Sequence, residues 1–375
     1  MPANLLCPRV AAIVDKSPTA QAADAPSEPT RALRSLAPYG LAFIFPLLTL
    51  SFLGTGPHRG PHALLWLLAL PLLASLDGAM GRGRPGAAPS DHRGGFTALL
   101  HGLALLQGIN LLLALGRTFQ GGLTPLEAGT AVVLLGASSA HTLLVAHELI
   151  HKAHRGPRWL GRALLLTLLY DHFFTEHLRG HHVRAGTEED PSTASLDEPF
   201  WPYLRRTWPG EWRSAWQLEV RRLTAQGRAG LWLRNTVLHG VVAQLALAGL
   251  VGGLAGGLAL GGFIAQAALA HLLIQVVNYL EHWGLQRGAS QRVRATDSWE
   301  SDSLFTQFAL LGLARHADHH LRAARPYQRL GWHAESPCMP RGHIAMVALV
   351  LFRNRRVRQL LAEELRRKGL KCLRA

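Results

Sequence analysis

Six apolar runs, each close to the length of a membrane span, set the strongest limit on how this chain can fold. About 20 apolar residues are needed for a helix to cross the hydrocarbon core of a bilayer. Backbone groups in lipid must be satisfied within the segment itself, so such runs predict helices rather than open strands. The runs lie at residues 36–53, 63–80, 96–115, 125–148, 231–250 and 260–279.

The runs predict an all-α, polytopic membrane protein with six transmembrane helices. A seventh apolar run, residues 160–174, is too short to span and predicts an interfacial or re-entrant helix. A glycine-rich stretch between the last two runs predicts a chain reversal. Counts of five or seven spans remain open. We expect a disordered tail at 1–33, a membrane-embedded domain at 34–350, and a basic C-terminal helix or tail at 351–375, with the helix near 353–371.

The formal net charge of +15 is concentrated in loops beside the apolar runs. That layout is typical of an anionic cytoplasmic membrane face, and no aromatic-lined basic groove suggests nucleic acid. Lysine and arginine counts place the N-terminus inside and, with six spans, every histidine motif on the cytoplasmic side of a bacterial-type inner membrane. The three cysteines, Cys7, Cys338 and Cys372, form no CxxC, so any redox chemistry would draw its electrons from elsewhere.

Four histidine motifs follow apolar segments: HELIHK, EHLRGHH, NYLEHWG and RHADHH. Residues three or four apart share a helix face, so the histidines of each motif should reach one point. Nine imidazoles exceed what one ion takes, which favours two metal ions. Zinc, copper, iron and nickel all accept imidazole. The histidines are His147, His151, His177, His181, His182, His282, His316, His319 and His320.

Two other functions share part of this pattern. HExxH is typical of zinc proteases, but that function would use His147, Glu148 and His151 and leave the other three motifs without a role. A membrane metal carrier would also use histidine clusters. Its clusters would be strung across the bilayer, whereas these are expected at one membrane level.

The joint motif set resembles the integral-membrane alkane monooxygenases of the fatty-acid desaturase and hydroxylase superfamily. HFFTEH, EDPSTA, RSAWQLEVRRL and RPYQRL extend the similarity from the first span to about residue 350. The resemblance implies a cytoplasmic histidine-rich diiron site with a helical cap, and all nine histidines as ligands of two iron ions. It also implies terminal hydroxylation of medium or long alkanes with dioxygen. Electrons would come from a rubredoxin-type donor and its reductase.

Five carboxylates lie in or beside the motifs. Each is expected to orient a ligand imidazole by accepting its distal N–H or to handle protons; the alternative is a surface carboxylate that balances nearby arginine. They are Glu148, Glu176, Glu281, Asp190 and Asp318.

The chain departs from the family pattern at three places: Trp283 replaces a usual tyrosine, Asp297 to Glu300 replace a common HSWN, and Ala317 replaces a common serine. These changes leave open the contacts behind the ligands and the preference for an alkane or an alkyl-aromatic substrate. EHLRGHH and RHADHH favour the alkane branch, but motifs alone do not decide between hydroxylation, epoxidation and desaturation. A leucine-rich channel between the spans would admit substrate from the membrane lipid. Basic residues such as Arg155 and Arg158, with the C-terminal cap, would attract an acidic electron donor.

Overall fold

The computed structural model describes residues 33–83, 93–119, 123–228, 230 and 232–370. Within these residues the chain contains helices and loops but no strand, and its β-type pairings are two isolated bridges. The predicted all-α class is therefore confirmed. The predicted tail falls outside the described residues up to position 32.

Helices α1 to α11 follow one another along these residues, with short 3-10 turns between some of them. They are α1 (Leu33–Thr55), α2 (His62–Ala79), α3 (Arg93–Phe119), α4 (Pro125–Ile150), α5 (Arg155–Thr167), α6 (His172–Glu176, continued by the π-helical turn His177–His181 and by His182–Arg184), α7 (Phe200–Ala225), α8 (Thr236–His282), α9 (Leu304–Ala309), α10 (His316–Leu321) and α11 (His343–Lys368).

Five helices among the described residues are long and apolar enough to cross a membrane, namely α1, α2, α3, α4 and α8. The last of these, α8, is 47 residues long and leaves helical geometry at Gly256 (φ 80°, ψ 178°), a conformation that favours glycine. A Cβ added at Gly252 would lie 3.2 Å from Leu260 Cδ2, although eight residues of straight helix span about 12 Å. The chain therefore folds back within the glycine-rich stretch where the sequence predicts a reversal.

Helix α4, which presents the first histidine pair, begins at a capping box. Thr124 Oγ1 accepts a hydrogen bond from the Glu127 backbone N–H (3.3 Å), and the Glu127 carboxylate accepts one from Thr124 N–H (3.0 Å). Pro125 occupies the first turn, as the sequence predicts. All residues from 138 to 146 are buried, so the end of α4 presents its histidines to the protein interior rather than to lipid.

The short apolar run predicted as a helix at 160–174 is divided by a loop. Helix α5 covers Arg155–Thr167, and the backbone then turns through Leu169 (φ 53°) before α6 begins. Arg162 donates two hydrogen bonds to Asp171, at 2.9 and 2.6 Å, and so ties the far side of the loop to α5. This ion pair accounts for the turn that apolar periodicity alone does not reveal.

The C-terminal helix is longer and more buried than the sequence predicts. It begins at His343 instead of near residue 353, where Arg353 interrupts the helical geometry. Val357, Leu361 and Leu365 lie on one face and pack with Tyr279 in a core shared with α7 and the second half of α8. The face of the helix that carries these three leucine and valine residues is therefore part of the core.

Candidate metal centre

All nine histidines singled out from the sequence converge in two adjoining groups. Within each group the ligand nitrogens lie within 4.8 Å of one another. The rings of His182 and His320, one from each group, are 4.6 Å apart. The five-histidine group contains His147, His151, His177, His182 and His319, and the four-histidine group contains His181, His282, His316 and His320.

The second motif is divided between the groups by a π-helical turn. The sequence predicts that His177, His181 and His182 reach one point, and for His181 this is wrong. Residues 177–181 form a π-helix, whose hydrogen bonds run from residue i to i+5. His177 and His182 consequently share a face, with their Nε2 atoms 3.0 Å apart, while His181 joins the other group.

The fourth motif is divided as well, but by an ordinary α-helix. His316 and His320 lie four residues apart on α10, and their Nε2 atoms are 3.0 Å apart. His319 lies on another face, and its Nε2 is 3.1 Å from that of His182. The expectation that all three reach one point is therefore wrong, and each group draws on several distant segments.

The contacts between the imidazoles fit a shared cation. The Nε2 of His177 lies 3.1 Å from that of His151 and 3.0 Å from that of His182. The Nε2 of His316 has two such neighbours, His282 at 3.1 Å and His320 at 3.0 Å. A ring nitrogen carries one proton or one lone pair and makes one hydrogen bond. These contacts therefore cannot all be hydrogen bonds, whereas a metal ion accommodates them together.

The distances also bear on the type of metal. Two nitrogens bound at about 2.1 Å lie about 3.0 Å apart for an angle near 90°, and about 3.4 Å apart for a tetrahedral angle. The observed 3.0–3.1 Å fits the first case. Burial also lowers the pKa of His151 to about 3, which keeps the ring in its neutral, metal-binding form. The residues thus fit a centre with angles near 90° better than a tetrahedral zinc site.

Of the five predicted carboxylates, Asp190 contacts an imidazole as expected. Its Oδ2 lies 3.1 Å from His181 Nδ1, and Thr193 Oγ1 donates to the same oxygen at 2.7 Å. Burial alone would lower the pKa of His181, but the adjacent carboxylate outweighs burial and raises it. Asp190 can therefore orient this ring and favour proton retention at its distal nitrogen.

Glu281 contacts a histidine in a different way. One of its oxygens is 3.4 Å from His316 Nε2, the nitrogen that faces the four-histidine group, and the other is 3.2 Å from His343 Nε2. The carboxylate thus lies at the metal-facing side of His316 rather than at its distal nitrogen. His343 holds it there from the start of α11.

The other three carboxylates have cationic partners. Glu148 pairs with Lys152, and Glu176 accepts from Arg184 Nη2 at 2.9 Å and Ser214 Oγ at 3.1 Å. Asp318 is completely buried between ligand segments. It binds Arg322, Arg325 (3.0 Å), His333 (3.0 Å) and the Gly331 backbone N–H (2.9 Å).

Sequence spacing missed several groups around the centre. His343 lies outside every motif, 62 residues after Glu281. The Asp297 backbone carbonyl is 3.3 Å from His282 Nδ1. The Glu211 carboxylate accepts a hydrogen bond at 2.8 Å from the Oγ of Ser192, which lies two residues after Asp190 in the chain. These contacts join distant segments, and no local pattern signals them.

The positions that depart from the family pattern are buried near the centre. Trp283 immediately follows His282 and is 1% exposed. The Trp299 indole N–H donates to the Trp283 carbonyl at 2.9 Å. Glu300 is completely buried, and its Oε2 accepts from the His333 N–H at 3.1 Å. Ala317, completely buried, precedes Asp318 on α10. These residues pack around the histidine segments, where they can influence ligand position.

An apolar cavity of about 360 Å³ leads toward the histidines. It shares Leu144, Leu310 and Leu313 with a smaller pocket lined by His147, His316 and His319, among others. Along α4 the larger cavity extends past Ala137 to Val133, and its remaining walls come from α1, α2, α8 and α11. The structure therefore connects an apolar space among the long helices with the histidine groups.

Comparison with known proteins agrees with this geometry. The fatty acid desaturase family model matches residues 124–349. Alkane 1-monooxygenase 1 of Pseudomonas aeruginosa is 37% identical over 60% of this chain and 59% of the relative. Alkane 1-monooxygenase of Ectopseudomonas oleovorans is 30% identical over 77% of this chain and 74% of the relative. The xylene/toluene monooxygenase hydroxylase component XylM of Pseudomonas putida is 28% identical over 58% of this chain and 59% of the relative. The chain thus spans less than two thirds of the Pseudomonas aeruginosa relative, and it spans 56% of alkane 1-monooxygenase 2 of Alcanivorax borkumensis.

Proposed function

Because this chain belongs to the fatty acid desaturase family, we propose that it is an alkane 1-monooxygenase of the membrane. The reaction consumes an alkane, dioxygen, two electrons and two protons, and yields a 1-alkanol and water. The observation that carries this proposal is the pair of adjoining groups of imidazoles at the end of an apolar cavity. A metal carrier has no need of such a cavity.

Two iron ions would be held in the proposed centre, one by the five-histidine group and one by the four-histidine group. Iron, when bound, supplies the dioxygen activation that attack on an unactivated C–H bond requires. The protein's own residues hold and orient the ligands. Asp190 fixes His181, and His343 holds Glu281 beside His316. Glu148, Glu176 and Asp318 stabilise the ligand segments through their cationic partners.

The alkane would lie in the cavity along α4 with one terminal carbon beside Leu144, Leu310 and Leu313. Burial of each methylene contributes about 0.8 kcal/mol, so the apolar walls bind the chain without polar contacts. The same walls exclude water from the reacting end. We expect hydroxylation at the chain end, because the pocket beside His147 and His319 is small, about 20 Å³.

Membrane placement is part of the proposal. The reversal at Gly256 would divide α8 into two spans, which with α1 to α4 gives six. Residues 34–350 would form the embedded domain of an inner-membrane protein, with the basic segment 351–375 on the cytoplasmic side. An acidic rubredoxin-type donor, reduced by its reductase, would bind on that side. Arg322 and Arg325 support this binding, because both are partly exposed and both bind Asp318, the neighbour of His319.

The test combines metal and product analysis of the purified full-length protein. We expect about two iron atoms per chain, Mössbauer signals that change on reduction, and 1-octanol from octane with a reduced rubredoxin. His182→Ala should lose iron, whereas the exposed His101→Ala should retain it. Zinc as the bound metal, or retention of full iron by His182→Ala, would contradict the proposed centre.

A second candidate is hydroxylation of an alkyl-aromatic compound, which the similarity to XylM favours. Incubation with octane, hexadecane, xylene and a fatty acid, followed by mass spectrometry, separates the two. Benzylic alcohol as the main product would replace the alkane assignment. An unsaturated fatty acid or an epoxide would indicate the related desaturase or epoxidase reaction.

A further inference from the structure

A groove on the outer face of α7 lies apart from the histidine groups and from the alkane cavity. It encloses about 710 Å³. Three tryptophans lie on its wall at spacings of seven and four residues, and they are 48%, 40% and 41% exposed. The lining residues are His172, Trp201, Leu204, Arg205, Trp208, Pro209, Trp212 and Arg213.

The charged side chains that line the groove are all basic. Arg205 and Arg213 both line it, and none of the lining residues is acidic. Within the described part of the chain neither guanidinium forms an ion pair. The two arginines lie eight residues apart, about 12 Å along the helix, so both side chains can reach an anionic group between them.

At the floor of the groove lies a polar atom that lacks a partner. His172 is 8% exposed, and its Nε2 forms no hydrogen bond with the described residues. Burial lowers the pKa of His172 to about 3, so the ring is neutral and offers one N–H donor or one lone pair. An unpaired buried polar atom is costly, which points to a ligand with a hydrogen-bonding group at this position.

The position of the groove selects the kind of ligand. The Trp208 ring lies 5.6 Å from that of His271, on the second half of α8. This helix is long and apolar enough to cross a membrane, so the groove lies beside a candidate span, where membrane lipid is the expected neighbour. Tryptophan beside arginine is also typical of a membrane interface.

We propose that this groove holds one anionic phospholipid of the surrounding leaflet. The phosphate lies between Arg205 and Arg213, an acyl chain lies against the tryptophan rings, and His172 hydrogen-bonds a polar oxygen of the lipid. This site is separate from the hydroxylation reaction and requires only that the protein be embedded in a membrane.

Native mass spectrometry of the full-length protein tests the site. The protein is taken from micelles with equal phosphatidylglycerol and phosphatidylcholine. We expect wild type to retain one phosphatidylglycerol per chain. Arg205→Gln with Arg213→Gln should reduce this preference about 30-fold, since each arginine near a lipid headgroup contributes about a fivefold effect.

The matched control removes the same charge elsewhere on or next to α7. Arg221 and Arg228 are exposed and do not line the groove, so Arg221→Gln with Arg228→Gln should keep the bound lipid. If both double variants lose phosphatidylglycerol equally, the lipid is held by the overall positive charge rather than by the groove, and the proposal is overturned. Equal retention of both lipids by wild type would overturn it without reference to any variant.

A fluorescence measurement tests the acyl chain independently. Phosphatidylglycerol brominated on its acyl chain should quench tryptophan emission in wild type, and Trp208→Leu should lose part of that quenching. Trp159 is 66% exposed on α5 and lies outside the groove. If Trp159→Leu loses as much lipid-specific quenching as Trp208→Leu, the lipid contacts the surface in general and the site is disproved.

Discussion

Replacing Ala137 with phenylalanine should shorten the alkanes that the protein accepts. Ala137 lines the apolar cavity on α4, ten residues before His147, and Val133 lines the same cavity four residues further from the histidines. At the rise of an α-helix these positions lie about 15 and 21 Å from the level of His147. A ring at 137 would therefore remove about 6 Å of channel, the length of about five methylene groups.

The expected effect on specificity follows from that length. Five methylenes at about 0.8 kcal/mol each amount to about 4 kcal/mol, or about a 1,000-fold loss in kcat/KM for a chain that needs the closed part. Hexadecane needs it, whereas decane fits within the remaining length. Competition between the two alkanes, with the 1-alkanols measured by gas chromatography, should show the hexadecane-to-decane ratio falling toward this limit.

The control is Val132→Phe, which places a phenylalanine on the same helix five residues before Ala137. Val132 lines a separate cavity of about 300 Å³ and not the one beside the histidines. It should leave the ratio unchanged, and both variants should bind iron like wild type. This cavity is refuted as the substrate channel if the hexadecane-to-decane ratio falls by less than about tenfold in Ala137→Phe. It is also refuted if the ratio falls equally in Val132→Phe.

Three further outcomes are expected. Asp190→Asn should lower iron occupancy and broaden the Mössbauer signal of one iron, because the His181 ring loses its anionic acceptor; unchanged spectra would contradict this role. Gly136→Ala should lower the melting temperature, since an added Cβ would lie 2.7 Å from Cδ2 of Leu269, which also lines the apolar cavity; an unchanged melting temperature would show that the helices adjust freely. Arg222 and the Thr236 N–H lower the pKa of Glu219 to about 2 despite the opposing effect of burial. The ionised Glu219 carboxylate therefore stabilises the fold fully above about pH 4.5, and this stabilisation is lost as the pH falls toward 2. The melting temperature of wild type should fall across this range, and that of Glu219→Gln should depend less on pH.

The sequence predicts the candidate ligand residues of the centre well, because histidine spacing and apolar run length are local properties. All nine histidines that it singles out lie in the two groups. The reversal within α8 is also local, since a glycine-rich stretch provides the positive φ at Gly256. Asp190 beside His181 follows from two motifs close together in the chain.

The sequence does not predict how the histidines are divided. That division depends on the π-helical turn at His177–His181, which changes the facing residues from i+4 to i+5. Nothing in the letters EHLRGHH distinguishes this turn from an α-helix. The contact of Glu281 with His343, and the burial of Leu361 against the second half of α8, depend on how distant segments pack. Sequence spacing cannot supply such information.

The division of the motifs explains why the centre depends on the whole fold. His181 and His182 are neighbours in the chain but belong to different groups, and His319 and His320 are divided in the same way. The five-histidine group is complete only when α6 and α10 both lie against the end of α4. The four-histidine group is complete only when both lie against the end of α8. Helix packing and metal binding would therefore be coupled, because ligand convergence needs every helix in place and bound ions would oppose their separation. A change in α6 or α10 consequently affects both groups together, whereas separate single-motif sites would be lost one at a time.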